Sequence, residues 1–321
     1  MDNKINVKLL SMAGQGGSAF GITLMELMKE RDDIMVLSAD MSTPAGLDKF
    51  KAAYPDHFMN VGIAEQNMIG IAAGLADEGY KVICVAQACF ITMRCFEQVR
   101  QYAGYMGIPM ILIGIGSGLS LQYMGNTHYA LEDIALMRTI PTMTVVAPCD
   151  ALEACKALER AIDSNGSTYI RFFGGTGIPA VHNDNIDFEL GKAIKLRDGK
   201  DVAILACGSM VIQALGAADS LAEHGIETEV IDVHTINPFD NAIIDICKDT
   251  KLVVTIEEHR LTGGLSSVIS EQMKEKQISR ATLNLGVDEN YPLPGSYPYM
   301  LEQCGLSVAK VTNSIINKIK E

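Results

Sequence analysis

One carboxylate in an otherwise uncharged run is the residue best suited to do chemistry. The stretch FMNVGIAEQNMIGIAAG, Phe58 to Gly74, begins with a short apolar run that stops at Gly62. Glu65 then heads a helical pattern whose next turns carry no charge. A Glu in the first turn suits the helix dipole, which favours negative charge there by about 0.3–1 kcal/mol. Ile63 and Ala64 before it, with Met68, Ile69 and Ile71 after it, also give it apolar surroundings. A carboxyl in such a place tends to hold or lend a proton near neutrality. His128 is a second candidate. It lies between a glycine-rich loop, SGLSLQYMGNTHYA, and a helix start, a position suited to meeting anions. Asp40, Ser42 and Thr43 close the apolar run IMVLSAD, where a turn or a helix cap would use the same residue types.

These residues need a scaffold that brings distant segments to one edge. Helical and strand patterns alternate along the chain. GSAFGITLMELMKERDD puts Phe20, Leu24 and Leu27 on one helical face, and IMVLS, KVICVAQ and PMILIGI are continuous apolar runs of strand length. Such runs mark strands buried on both faces of a parallel sheet, where ligands bind at the carboxyl ends. The sequence predicts a helix from about Tyr129 and another opened by Asp150. Residues 174–190 rise in Gly, Asn and Asp and lose periodicity, the mark of a linker. The alternation then resumes, with IETEVIDVHTINP as one strand, NPFDNAIIDICKD as a helix and KLVVTIEEH as a strand. The expected fold is α/β, two doubly wound three-layer domains at 1–176 and 191–321 joined by a linker at 177–190.

Length and composition agree with two domains. The 321 residues, 48% hydrophobic and 20% charged, describe a globular chain able to bury large cores. A net charge of −13 and a pI near 4.9 argue against nucleic acid or an anionic membrane as partner. An anionic ligand must then meet local cations, for which Arg94, Arg100, Arg171 and His128 are candidates. Eight cysteines without C-x-x-C spacing are expected as reduced core residues of a cytoplasmic protein, with no zinc site and no metal ligand in this chain. The start MDNKINVKLL lacks the pattern of a signal peptide, and no apolar run of about 18 residues suggests a membrane span.

VGIAEQNMIGIAAGLA resembles the signature of the pyrimidine-binding domain of transketolases and 1-deoxyxylulose-5-phosphate synthases, and the similarity continues over most of the chain. The resemblance implies thiamine diphosphate as cofactor, with its aminopyrimidine end bound here. Glu65 would bond the ring nitrogen of the aminopyrimidine and favour the imino tautomer, which removes the thiazolium proton, and Ile63 would be the apolar wedge that bends the cofactor. Phe90 matches the stacking Phe of the family's TFxxFLxxRAxEQVR run, whereas the first Phe of that run is Gln87 here. Gly125, Thr127, His128, Leu131, Glu132 and Asp133 match GxxGEDGxTHQxxED, so His128 would face the cofactor's amino group and the substrate. Asp40 is expected among the cofactor contacts, Ser42 among the substrate contacts, and Arg171 as the strand-end cation for a substrate phosphate. Tyr123 and Met124 replace the family's acidic pair, while Gly17 and Gly116 stand where an Arg and a His are usual.

The family holds the diphosphate through a metal with a GDG motif, and no GDG occurs in this chain. The resemblance therefore implies one subunit of a split enzyme that transfers a two-carbon ketol unit between sugar-type substrates. A separate N-terminal subunit would hold the diphosphate with Mg2+ or Ca2+, in an α2β2 heterotetramer with self-association of this chain. The β subunit of a 2-oxo acid dehydrogenase, similar in length and domain order, is the alternative enzyme. A catalytically silent partner subunit is the third reading, motivated by Gln87, Met124, Gly116 and Gly17. The EEH run Glu257–His259 belongs to the domain expected to lie away from the chemistry and receives no catalytic role.

Overall fold

The computed structural model describes residues 19–174, 179–182, 186–287 and 290–321. Its first sheet takes β1 (Ile34–Ser38), β2 (Phe58–Asn60), β3 (Lys81–Gln87), β4 (Ile111–Ile115), β5 (Met143–Val146) and β6 (Ser167–Phe172). A second sheet takes β7 (Ile194–Arg197), β8 (Val202–Ala206), β9 (Thr228–Asp232), β11 (Leu252–Arg260) and β12 (Ala281–Val287). One short strand, β10 (Thr235–Asn237), lies beyond the first sheet in sequence but joins it, giving the order β10-β5-β6-β4-β3-β1-β2. The second sheet runs β12-β11-β8-β9-β7. All pairings are parallel except β10 on β5 and β7 on β9. This is the expected α/β architecture, with helices covering both faces of parallel sheets.

Helices α1 (Phe20–Leu27), α2 (Asp48–Ala53), α3 (Glu65–Asp77), α4 (Asp133–Arg138) and α5 (Ala151–Asp163) belong to the first half. The second half carries α6 (Met210–Glu223), α7 (Leu265–Glu275), α8 (Tyr297–Gln303) and α9 (Val308–Lys320). Strands β3, β4 and β8 are mainly apolar, and together with β6 they are almost wholly buried, as both-face coverage of a parallel sheet requires. One core lies under α1 and α5, with Phe20, Phe50, Ile113 and Phe172. A second runs from Met68 and Ile69 of α3 to Leu205, Val253 and Leu265, so it is shared by both halves. A third fills the outer side of the second sheet beneath α6 and α9.

Three elements differ from the sequence reading. IETEVIDVHTINP is two strands in different sheets, because the chain turns after Asp232 and Asn237 anchors β10 by donating from Nδ2 to the Met143 carbonyl at 2.6 Å. Asn237 thus ends a strand, and only short 3₁₀ turns follow at Ile243–Lys248. The helix expected from Tyr129 begins at Asp133, since Ala130 is held extended by a bridge to Gly118. Residues 90–105 form a helical run interrupted by wide π-type turns at Phe90–Arg94 and Arg100–Tyr105, a distortion frequent at functional sites. On α3, Gly70 and Gly74 meet nothing within 4 Å of a Cβ position, so no described helix of this chain packs on that face.

Candidate active site

The carboxyl ends of β1, β2 and β3 set the site. β1 leads to Asp40, which adopts φ 56° and is exposed. β2 leads through Gly62, at φ 74°, into Glu65, the first residue of α3. Asn60, not singled out from the sequence, joins the two ends. Its Oδ1 accepts from the backbone N–H of Asp40 at 3.2 Å and of Gly62 at 3.0 Å. A polar residue closing a strand was the available signal. Ile63, next to Glu65, is 75% exposed, an unusual position for a large apolar side chain. Ser42 is half-buried in the tight loop after β1, its carbonyl accepting from Leu47 N–H at 2.8 Å.

Glu65 is 2% exposed, and both its oxygens accept from Nη1 of Arg94, at 2.7 and 2.9 Å. The same guanidinium lies over the ring of Phe90, with Cζ 3.8 Å from the centroid, a cation–π arrangement. Phe90 meets His128 edge-on with ring centroids 5.5 Å apart. The His128 Nδ1 pairs with the Thr127 hydroxyl at 2.8 Å. Glu65, Phe90 and His128, from three separate segments, are thereby drawn into one constellation, Arg94 joining Glu65 to Phe90 and Phe90 meeting His128. The sequence offered Arg94 only as a generic cation.

An open cleft of about 360 Å³ borders this group, lined by Cys89, Phe90, Met93, Arg94, Asn126, Thr127, Tyr129, Glu132 and Tyr291. Tyr291 comes from the second half and donates its hydroxyl to Glu132 at 3.0 Å. Burial pushes the Cys89 thiol up to about 12, away from the thiolate form. Tyr123 and Met124, in the positions of the family's acidic pair, are exposed. Gly116 sits at φ 80°, a backbone conformation that L side chains rarely adopt, and a Cβ there would also press on the end of the Leu121 side chain. Gly17 falls outside the described residues.

Arg171 requires a correction. Expected to reach a substrate phosphate, it is buried and turned inward, with Nε donating to Asp133 at 2.7 Å. Its Nη2 donates to the carbonyls of Ala130 at 2.9 Å and Glu258 at 2.7 Å. The strand-end position is as expected, but Asp133, which also accepts from the Tyr169 hydroxyl at 2.7 Å, captures the guanidinium. Arg171 is a strut between the two halves. Glu258 and His259 of the EEH run serve the same junction. Glu258 Oε1 accepts from Leu119 N–H at 2.5 Å, and Oε2 from the hydroxyls of Ser209 and Tyr297. Glu257 accepts from the N–H groups of Leu265 and Ser266 at the head of α7, at 2.7 and 2.9 Å. His259 donates from Nδ1 to the Arg260 carbonyl and accepts at Nε2 from Ala135 N–H. That pattern needs a neutral ring, and burial accordingly lowers His259 to about 4.

The family model for the transketolase pyrimidine-binding domain matches residues 15–173, and the one for the transketolase C-terminal domain matches residues 191–311. The chain belongs to the transketolase family. Among the relatives of this transketolase chain, one subunit of the apulose-4-phosphate transketolase of Phocaeicola vulgatus is 33% identical over 305 residues, covering 94% of this chain and 97% of that protein. The 6-deoxy-6-sulfo-D-fructose transketolase subunit of a Clostridium species is 35% identical over 292 residues, covering 91% of this chain and 90% of its own length. A solved split gene transketolase, described as an inactive beta4 tetramer, superimposes with a TM-score of 0.85 at 34% identity, over 94% of this chain and 97% of that one. Relatives matched over nearly their full length are thus themselves transketolase subunits. Among the described residues of this transketolase chain, no helix is long and apolar enough to cross a membrane.

Proposed function

We infer that this chain is one subunit of a two-chain transketolase that moves a two-carbon ketol unit between sugar-type substrates. The observation that carries the reading is the buried Glu65 carboxylate beside the ring of Phe90 and the imidazole of His128. Division between two chains is supported by relatives of matching length that are named as transketolase subunits. Those relatives favour this reading over a 2-oxo acid dehydrogenase, and the assembled Glu65–Phe90–His128 group speaks against a silent subunit.

Thiamine diphosphate is the cofactor of the family, and the residues present fit its aminopyrimidine end. A planar, nitrogen-rich group already makes the two contacts such a ring needs, since the Arg94 guanidinium donates to Glu65 while covering Phe90. When bound, the cofactor supplies a carbon nucleophile and a sink for the electron pair of the broken carbon–carbon bond. Glu65 holds or lends a proton at the ring nitrogen. Phe90 orients the ring by its face. Ile63, with its exposed apolar side chain, would offer apolar surface to the cofactor, and Asp40 would contribute from the end of β1. His128, fixed at Nδ1 by Thr127, moves protons at the substrate carbonyl through Nε2, with Ser42 as a further substrate contact. The diphosphate and its Mg2+ or Ca2+ belong to the separate subunit, in an α2β2 assembly in which copies of this chain associate.

The decisive substitution is Glu65→Gln in the assembled complex. It keeps the size of the side chain but cannot lend a proton, so exchange of the thiazolium proton with deuterated water should fall roughly 100–10,000-fold. Cofactor affinity should change far less, because the diphosphate is held elsewhere. An unchanged exchange rate in a folded, cofactor-loaded complex would leave Glu65 as a helix-end charge and end the reading.

A further inference from the structure

A second polar cluster lies where the two halves and the segment between them meet. Cys149 stands in the turn after β5, Glu153 in the first turn of α5, His182 in the connecting segment and Asp232 at the end of β9. The cysteine sulfur, a histidine ring nitrogen and one oxygen from each carboxylate lie within 4.8 Å of one another. All four residues are buried, Glu153 and Asp232 completely. Yet Glu153 Oε1, His182 Nε2 and both Asp232 oxygens have no hydrogen-bond partner. His182 Nε2 sits 3.7 Å from Glu153 Oε1 and 3.8 Å from Asp232 Oδ2. Those separations are too long for hydrogen bonds. They are close to the roughly 3.3–3.7 Å between ligands around one tetrahedral zinc ion.

We propose that Cys149, Glu153, His182 and Asp232 bind one structural zinc ion that ties the two halves of the chain together. Donor chemistry selects the metal. A thiolate and an imidazole favour zinc over Mg2+ or Ca2+, which take oxygen ligands. Four protein donors in a buried place leave no open position, so the ion is structural and not catalytic. The cluster is held ready by an outer shell, as metal sites require. Asp150 caps α5 by accepting from Glu153 N–H at 2.9 Å, and its other oxygen accepts from the N–H of His182 at 2.9 Å. Glu153 Oε2, the oxygen not aimed at the cluster, accepts from Cys149 N–H at 2.6 Å. On binding, the Cys149 thiol loses its proton to solvent and the sulfur donates to the ion.

The full chain, stripped with a chelator and reloaded, tests this. One zinc per chain should be retained after gel filtration, and Tm should fall by roughly 5–10 °C when it is removed. Cobalt(II) loaded in its place should give the intense visible bands of a tetrahedral ion plus a thiolate-to-cobalt charge-transfer band. Cys149→Ser should abolish the charge-transfer band, and Asp232→Asn should abolish stoichiometric retention. The cobalt spectrum of the unaltered chain reports even where a variant fails to fold. The proposal is overturned if the unaltered chain retains no zinc and shows no tetrahedral cobalt spectrum. Full metal retention and an unchanged spectrum in Cys149→Ser would overturn it equally, by locating the ion elsewhere.

Discussion

Arg94 is held from two sides, by the Glu65 carboxylate and by the ring of Phe90. The two partners are not equally placed, since Glu65 is 2% exposed while the Arg94 side chain is 41% exposed. Removing the arginine therefore strands a buried charge, and removing the glutamate merely releases a cation to water. Losing one partner of a fully buried pair costs about 3–5 kcal/mol, and the exposure of Arg94 reduces that. Arg94→Ala should destabilise the isolated chain by about 1–3 kcal/mol, whereas Glu65→Gln should cost little. In the double variant most of the Arg94→Ala penalty should disappear, as read from denaturant midpoints in a double-mutant cycle. Additive effects would show that the pair contributes nothing to the resting chain. Under the proposed function, the guanidinium would have to leave Glu65 and Phe90 for an aminopyrimidine to be held there.

At the level of elements, the junction between the two halves rests on β6, β11 and the loop of residues 116–133. Arg171 at the end of β6 binds Asp133, and its guanidinium also meets the carbonyls of Ala130 in the loop and Glu258 in β11. Gly118 lies so close to β11 that a Cβ would collide with the Glu258 carboxylate. Arg171→Met fills similar space but leaves Asp133, which is completely buried, without its counter-charge. The expected loss is about 3–5 kcal/mol of stability, seen as a lower denaturant midpoint. A substrate anchor would behave differently, raising KM while stability held. A KM effect alone, in a chain as stable as the original, would return Arg171 to the substrate.

The whole molecule should show a stability dependent on pH through His259. Its folded value of about 4 lies below the ordinary value of 6.5, so the folded chain binds fewer protons than the unfolded one. Stability contributed by this residue is present above pH 6.5 and is lost as pH falls through about 4. Glu257 opposes it, because burial raises that carboxyl to about 7 and its cost grows as pH rises from 4.5. The His259 contribution is isolated by comparison with His259→Gln. The stability gap between the two chains should narrow by about 2–3 kcal/mol between about pH 7 and about pH 4.5. A gap that stays constant over that range would mean that folding leaves the protonation of His259 unchanged. Assembly is the other property of this scale. Alone, the chain should bind thiamine diphosphate weakly and turn over no substrate, and mixing with the separate subunit should restore both. Tight magnesium-dependent binding by the isolated chain would contradict the division of the site.

By itself the sequence determined the alternating α/β architecture and the placing of Glu65, Phe90 and His128 at strand and loop ends. Both are local matters, since apolar runs declare buried parallel strands and parallel strands deliver their following residues to one edge. It could not determine what each polar group would meet there. Arg94 and Arg171 are alike in sequence, but Arg94 reaches the cleft and Arg171 is captured by Asp133, because only packing sets which carboxylate lies within reach. The strand crossing at β10 was equally hidden, because one apolar run reads the same whether it serves one sheet or two. Cys149, Glu153, His182 and Asp232 show no ligand spacing along the chain, and their convergence exists only after β5, α5, the connecting segment and β9 have packed together. Periodicity is a property of neighbours in sequence, whereas the partners of a buried charge are chosen by tertiary contact.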